Sequence, residues 1–528
     1  MEEKGVILLS FLTRENNSRI GEPAEDVSMN RVSGIVGGVI LFLLIGFVIS
    51  IFQIHAIEKE SQVIGTLYAL GVTRREMMRH YLQLPFYITF VSSICGTVAG
   101  FSSLGLGIQL ASFVDYYSLP DMEYIYPLYL IVYGLLVPSA LIVLVNLLLL
   151  HNKLNQKPVK LLRHERRIVR TYRLKLHGMR FTTGFMIRQL IREYRCRLAM
   201  AVGVFLSMLL LVMAMNIHVC IWNLTEQNRQ DCTFWYMYIL KDMPSEVPEG
   251  AVAGYVEEYN CAGADGSTIQ VWILGINAEN PYFSQISLSD REEVTLSSSL
   301  AIKLKAEQGD TLFLEDTIGE GTYEFSVFDV GQYSIGTYAF MDLDTMRGYY
   351  GTTSDYYNVL FSEEELDIDS SLIYSVTSRE DIQNFSEVLN ENMLPLTIES
   401  AVIAILIFVV IIYLMMKFMI DRSEFSIALM RIFGYSHREL YYLYMSCDIW
   451  IFLAELLISI PLAKAIMDAI WPMFVAHVSV GLDLTYGLLH YASLFLFTIL
   501  VYVVVMFVLS WHLLRLELRA PETLKERE

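Results

Sequence analysis

Charge is what this chain has least of. Asp, Glu, Lys and Arg supply 18% of its 528 residues, where a soluble domain carries about 25%. Hydrophobic residues reach 54% and the mean hydropathy is +0.44. A single water-soluble core stops growing well before this length, so the apolar surplus needs another solvent. Cysteine is also scarce. Six occur (Cys95, Cys196, Cys220, Cys232, Cys261 and Cys447), with no CxxC and no His/Cys cluster at metal-ligand spacing. Cys232 and Cys261 share one acidic stretch and either pair or remain two thiols. There is no GxxxxGK[ST] loop, no LSGGQ-like run, no HExxH and no EF-hand loop. The chain therefore lacks the means to hydrolyse ATP itself, is not expected to be an enzyme, and calls for no metal or cofactor. Met1–Arg14 has acids where the basic region of a signal peptide would stand.

What is present is a series of long apolar runs, each able to cross roughly 30 Å of hydrocarbon as a helix. Candidate spans are Ser33–His55, Leu84–Val114, Tyr126–Leu150, Leu198–Trp222, Leu396–Met419, Ser446–Trp471 and Tyr486–Leu514. The net charge of −19 is split between two regions. Trp222–Pro395 holds 31 acidic and 7 basic residues, a net of −24, which leaves +5 for the rest. His151–Arg197 holds 14 Lys/Arg against 2 acids. Between spans, such a segment reads as a cytoplasmic loop obeying the positive-inside bias rather than as a nucleic-acid patch. Arg188, Arg192, Arg195 and Arg197, interleaved with Phe185, Ile187, Leu190 and Ile191, form an amphipathic elbow suited to anionic lipid. Lys59–Arg79 and Arg422–His437 fall on the same side as that loop. The acidic domain falls on the other, which puts the N-terminus outside and the C-terminus in the cytoplasm.

The expected fold is a polytopic α-helical membrane protein of about seven spans, with one α+β extracytoplasmic domain. In that domain strand-like runs occur at Thr233–Leu240, Thr268–Gly275, Thr311–Glu315, Tyr323–Val330 and Leu372–Val376, with helices at Ser298–Lys305 and Arg379–Asn390. Gly34/Gly38 and Gly96/Gly100 are GxxxG pairs, the pattern of close helix packing.

An internal repeat organises the rest. An offset of 363 residues pairs Ile64 with Ile427, Gly71 with Gly434, Arg75 with Arg438, Glu76 with Glu439 and Tyr81 with Tyr444. The same offset pairs Pro158 with Pro521 and Leu161 with Leu524. Each copy reads span, short amphipathic helix, two further spans and a basic tail, so the repeat is parallel. Val63, Ile64, Leu67 and Leu70 form an apolar stripe at helical spacing. Gly71 stands where a left-handed cap would end the helix, and Thr73 can cap a new helix whose first turn holds Glu76. Ile427, Met430, Phe433, Gly434 and Ser436 repeat the design. The alternative is a helix that merely lies among headgroups.

Lys59–Gln83 and Arg422–Ser446 resemble the motif of FtsX-like permeases, the membrane subunits of certain ABC systems: an acidic, aliphatic helix followed by Leu-Gly-x-Ser/Thr-Arg/His-Arg. Here it stands as Leu70-Gly71-Val72-Thr73-Arg74-Arg75 and Phe433-Gly434-Tyr435-Ser436-His437-Arg438. Thr295–Asp310, with Ser297-Ser298-Ser299-Leu300-Ala301 and Gly309-Asp310, is similar to the outer domain of macrolide-exporter-type permeases, and the whole to the macrolide-exporter or lipoprotein-release type of membrane subunit. The resemblance implies a bacterial plasma-membrane permease without nucleotide-binding motifs of its own, driven by two copies of a separate ATPase. Ile64, Leu67, Leu70, Gly71, Arg75 and Glu76, with Ile427, Met430, Phe433, Gly434, Arg438 and Glu439, become the ATPase-coupling residues. It implies export or extraction of a hydrophobic compound, peptide or lipoprotein. The alternative is a non-transporting scaffold regulating an extracytoplasmic partner, such as a cell-wall hydrolase, through residues 223–395. Membrane lipid is a partner and nucleic acid is not.

The resulting division is an extracytoplasmic remnant at 1–32, a first three-span unit at 33–162, a basic linker and elbow at 163–197, and a fourth span at 198–222. The acidic domain follows at 223–395 and the second three-span unit at 396–528. By the family pattern the first unit lacks its opening span and first outer domain. Asp448 and Glu455 lie on one face of the sixth span; ionisable groups in hydrocarbon are costly and face a partner or water. For Asp448 placement at the inner interface is the simpler reading; for Glu455 packing against a polar group is the simpler role, and transport or coupling the other.

Overall fold

The computed structural model describes residues 18–103, 105–106, 125–154, 194–244, 246–263, 268–316, 321–474 and 481–518. The helices are α1 (Ser18–Lys59), α2 (Ser61–Ala69), α3 (Arg74–Gly100), α4 (Leu128–Leu154), α5 (Tyr194–Asp231), α6 (Ser298–Leu304), α7 (Leu343–Tyr350), α8 (Arg379–Ile432), α9 (His437–Ile470) and α10 (Leu488–Leu518). Among the described residues, seven helices are long and apolar enough to cross a bilayer: α1, α3, α4, α5, α8, α9 and α10. The basic segment 155–193, residues 1–17 and the tail 519–528 lie outside the described residues, and with them the elbow arginines Arg188 and Arg192 and the proline pair of the repeat.

The second span differs from its expected bounds. α3 starts directly after Thr73 and stops at Gly100, capped by Phe101; the expected end of the span near Val114 lies outside the described residues. The short capped helix and the span are thus one rod. The second repeat follows suit, with α9 continuous from His437 through the sixth span. α8 also joins three expected pieces, running 54 residues through Pro395. In hydrocarbon an unbroken helix satisfies every backbone group it can.

The chain divides into two compact units. The helical one comprises Gly34–Ala214, Ser400–Met467 and Leu488–Glu528. Leu44, Val204, Phe408, Ile412, Leu456 and Leu509 are buried in it, and Phe452 stacks on Tyr502 with centroids 4.1 Å apart. α3 packs along α4, close enough at Gly134 that a Cβ would press on the Thr97 hydroxyl. The GxxxG pairs do not perform this role. A Cβ at Gly34, Gly38, Gly96 or Gly100 would meet nothing within 4 Å, whereas Gly203 faces Phe47, Ile411 and Met415. Close approach follows the packed face of each helix, and spacing alone did not identify that face.

The second unit comprises Met1–Ser33, Met215–Glu399 and Asp468–Gly487. Its strands are β1 (Tyr236–Leu240), β2 (Val252–Ala262), β3 (Thr268–Ile276), β4 (Glu293–Ser297), β5 (Thr311–Asp316), β6 (Thr322–Gly331), β7 (Tyr338–Asp342), β8 (Val359–Ser362) and β9 (Ile373–Ser378). They order as β3-β7-β4-β6-β5-β2-β8-β1-β9, and β2 also pairs with β3. Six strands thereby close into a barrel, which removes its free edges. Val271, Ile273, Leu296, Leu314, Phe325 and Met341 fill it. The start of β2 continues into β8, β1 and β9, over a second core of Phe234, Phe283, Phe340 and Phe361. Cys232 and Cys261 are free thiols in these two separate cores. β1, reached from α5, and β9, which leads into α8, are adjacent antiparallel strands, so chain entry and exit lie side by side.

Candidate functional site: two congruent knuckles

The repeat becomes two turns built alike. At the end of α2 the Gly71 N–H donates to the Tyr68 carbonyl at 3.2 Å and the Val72 N–H to the Leu67 carbonyl at 3.0 Å. Gly71 takes a φ of +97°, the left-handed position of a Schellman cap. In the second copy Tyr435 N–H donates to the Met430 carbonyl at 3.2 Å, and Gly434 has a φ of +91°. No atom crowds either glycine; each is there for its φ.

A capping box follows at once. The Thr73 N–H donates to Glu76 Oε2 at 2.8 Å and the Glu76 N–H to Thr73 Oγ1 at 3.4 Å. Ser436 and Glu439 repeat these distances, 2.8 and 3.4 Å. The bond from the Ser436 backbone, then that from its hydroxyl, hold the Glu439 carboxyl below the usual carboxylate range. Helix stop, glycine reversal and capped start are completed within seven residues, Leu70–Glu76 and Phe433–Glu439.

The apolar stripe divides between two directions. Ile64 is fully buried, clustered with Ile57, Met77, Leu150 and Leu154, and Leu67 is half-buried on the same cluster. Ile427 is buried and Met430 half-buried. Leu70 and Phe433 point away, 76% and 73% exposed. Val63 is exposed as well. Arg75, Glu76 and Glu439 are exposed; the side chain of Arg438 lies outside the described residues. The Tyr81 hydroxyl donates to Glu60 Oε2 at 2.6 Å and so fastens α3 to the start of α2. The two copies differ in one respect: α1 and α2 are separated at Glu60, while α8 runs unbroken into the second knuckle.

Elsewhere the ionisable residues of the sixth span and the acidic run of the β-domain are dispersed. Glu455 is half-buried in α9, Lys464 is buried and Asp468 exposed; the side chain of Asp448 lies outside the described residues. Glu363–Glu365 form an exposed bend. Among the described residues no group of His, Cys, Asp and Glu could hold a metal ion.

A buried polar tie was not anticipated from sequence. Asn228 of α5 donates to Ser386 Oγ of α8 at 3.0 Å and accepts from Ser334 Oγ at 2.7 Å. The Ser334 N–H donates to Asp231 Oδ2 at 2.8 Å. The turn after β6 thus joins both helices that carry the β-domain. Beside it opens a cavity of about 250 Å³ lined by Leu224, Ile335, Ile382 and Phe385 among others.

Two parallel helical units, each with an exposed knuckle before its second span, define a multi-pass membrane protein of the permease type. The profile of the FtsX-like permease C-terminal family matches residues 35–155 and again 400–518, so each repeat carries the membrane domain of that permease family. Such permeases are membrane subunits that work with an ABC ATPase. No curated protein matches the chain.

Proposed function

We propose that the ATPase docks on the two knuckles and that its closure on ATP is passed through the spans to the β-domain. The observation that carries this reading is the shared division of the stripe. In each copy an isoleucine is buried, while a large apolar side chain, Leu70 or Phe433, stands exposed beside the glycine reversal. Helix-in-groove docking takes such anchors. Because α3 and α9 begin at the knuckle and continue as spans, a push there meets no hinge before the membrane.

In this reading the knuckles are cytoplasmic and the acidic β-domain extracytoplasmic, as the charge bias of the loops requires. The cargo or effector is a hydrophobic compound, a peptide or a lipoprotein. The apolar cavity touches α5, α8 and the turn between them, where an apolar group would be felt by both helices. The test is co-purification of the ATPase with wild-type chain and with Leu70→Asp/Phe433→Asp, with the topology checked by impermeant thiol labelling. Ser370→Cys should label in intact cells and Thr66→Cys should not. Loss of the ATPase from the double variant supports docking; undiminished co-purification contradicts it.

A further inference from the structure

The serine run Ser297-Ser298-Ser299 is not a repeated capping signal; each hydroxyl has a different partner. Ser297 Oγ accepts from the Leu300 N–H, starting α6, and from the Tyr338 N–H of β7. Ser298 Oγ donates to the Tyr333 carbonyl at 3.0 Å and accepts from the Tyr333 N–H at 3.1 Å. Ser299 Oγ, buried, accepts from the Gly481 N–H at 2.9 Å. Gly481 belongs to the connection between α9 and α10, of which residues 471–474 and 481–487 are described. A Cβ at Gly481 would run into the Ser299 backbone, so only glycine permits this approach.

The rest of the connection is held by α5. Asn223 Nδ2 donates to the carbonyls of Asp483 and Thr485, each at 3.1 Å. Gln227 Nε2 donates to Asp483 Oδ2 at 2.8 Å, and the Tyr486 hydroxyl donates to Asn216 Oδ1 at 2.6 Å. An Asx turn, with Asp483 accepting from the Thr485 N–H at 2.8 Å, stiffens the segment itself. Through Ser298 and Tyr333, the contact at Ser299 adjoins Ser334, the residue that ties α5 to α8.

We infer that the α9–α10 connection is a third mechanical attachment of the β-domain, beside α5 and α8, with Ser299, Gly481 and Asn223 as its positioning residues. The inference rests on the docking reading. The described stretch 481–487 continues directly into α10, a span of the second repeat. A movement of that repeat therefore has a route to the barrel that bypasses α8. Buried polar ties of this kind have one fully satisfied arrangement, which makes the attachment a strut rather than a loose loop.

The experiment uses the full chain assembled with its ATPase. It reads ATP hydrolysis together with hydrogen exchange of β1, β9 and residues 481–487, with and without ATP. In Gly481→Val, exchange at 481–487 should rise without ATP and hydrolysis should stay within about twofold of wild type. The ATP-dependent change in β1 and β9 should fall at least about threefold, the size of a coupling term carried by residues remote from both ligands. Asn223→Ala/Gln227→Ala, which removes only side-chain donors, should shift the same readings in the same direction if the valine is not tolerated. A β-domain response undiminished in a variant whose connection exchanges faster overturns the strut. Wild-type chain that binds no ATPase overturns both this inference and the docking reading.

Discussion

Leu70 and Phe433 occupy the same place in two copies of one turn. Each is the last residue before a glycine at a φ of +97° or +91°, and each residue is about three-quarters exposed, 76% and 73%. Ile64 and Ile427, six residues earlier, are buried. The pairing separates what holds a knuckle in place from what it offers to a partner, and the two functions should respond differently to substitution.

Ile64→Ala should destabilise the detergent-solubilised chain by about 2–4 kcal/mol, the range for emptying a buried aliphatic site. Leu70→Ala should change stability by no more than about 0.5 kcal/mol, as exposed positions do. Thermal unfolding of the two single variants checks this. Equal destabilisation would contradict the division of the stripe.

Gly71 and Gly434 have no neighbour within 4 Å of a Cβ, so substitution there should act through φ alone. Gly434→Val should cost about 1–2 kcal/mol, the left-handed penalty of an ordinary residue, and Gly434→Asn clearly less. The same order should hold at Gly71. Exchange protection of the following helix start is the measurement, and an order independent of side-chain type would refute the cap.

Two capping carboxylates give a pH dependence. Hydrogen bonds from the Ser436 backbone and hydroxyl hold Glu439 low, and those from the Ser378 hydroxyl and backbone do the same for Asp381 at the start of α8. A carboxyl whose folded value is depressed contributes stability that is complete above its unfolded value, about 4 for these residue types. That stability is lost as the pH falls through the folded value. Exchange at the α8 and α9 starts should therefore quicken on acidification below about pH 4. Glu439→Gln should remove this dependence at α9 while leaving it at α8, and Ser436→Ala, which keeps the backbone N–H bond, should only reduce it.

Cys232 and Cys261 should remain thiols after the domain is exposed to mild oxidant, because they lie in separate cores. Burial pushes the Cys232 thiol up to about 11, so alkylation near neutral pH should be slow until the domain unfolds. Mass spectrometry after native and denaturing alkylation distinguishes the two states. A disulfide between these residues would contradict the barrel register.

The sequence carried the spans and the knuckles well, because both rest on local rules. Gly71 followed by Thr73 and Glu76 states a stop and a start in its own letters, and the constant offset to Gly434, Ser436 and Glu439 doubles the signal. Strands with one wet face, such as β5 and β6, were readable by alternation. β7 and β8 were not, because Ala339–Met341 and Val359–Ser362 are buried on both faces and show no period. Which way the stripe faced was also hidden. Ile64 and Leu70 are equally apolar, and only the packing of Leu150 and Leu154 decides that one is core and the other surface. The ties from Asn223, Asn228 and Ser334 join residues more than a hundred positions apart, where no spacing rule reaches.

Site-directed cross-linking tests the central claim most directly. A photoreactive group is attached in turn to Leu70→Cys, Phe433→Cys, Ile64→Cys and Ile427→Cys of the chain assembled with its ATPase, and adducts are mapped. Adducts to the ATPase are expected from positions 70 and 433, with intramolecular adducts alone from 64 and 427. Positions 70 and 433 that react only with lipid, in a complex that hydrolyses ATP at its full rate, would contradict the assignment of the knuckles as the docking site.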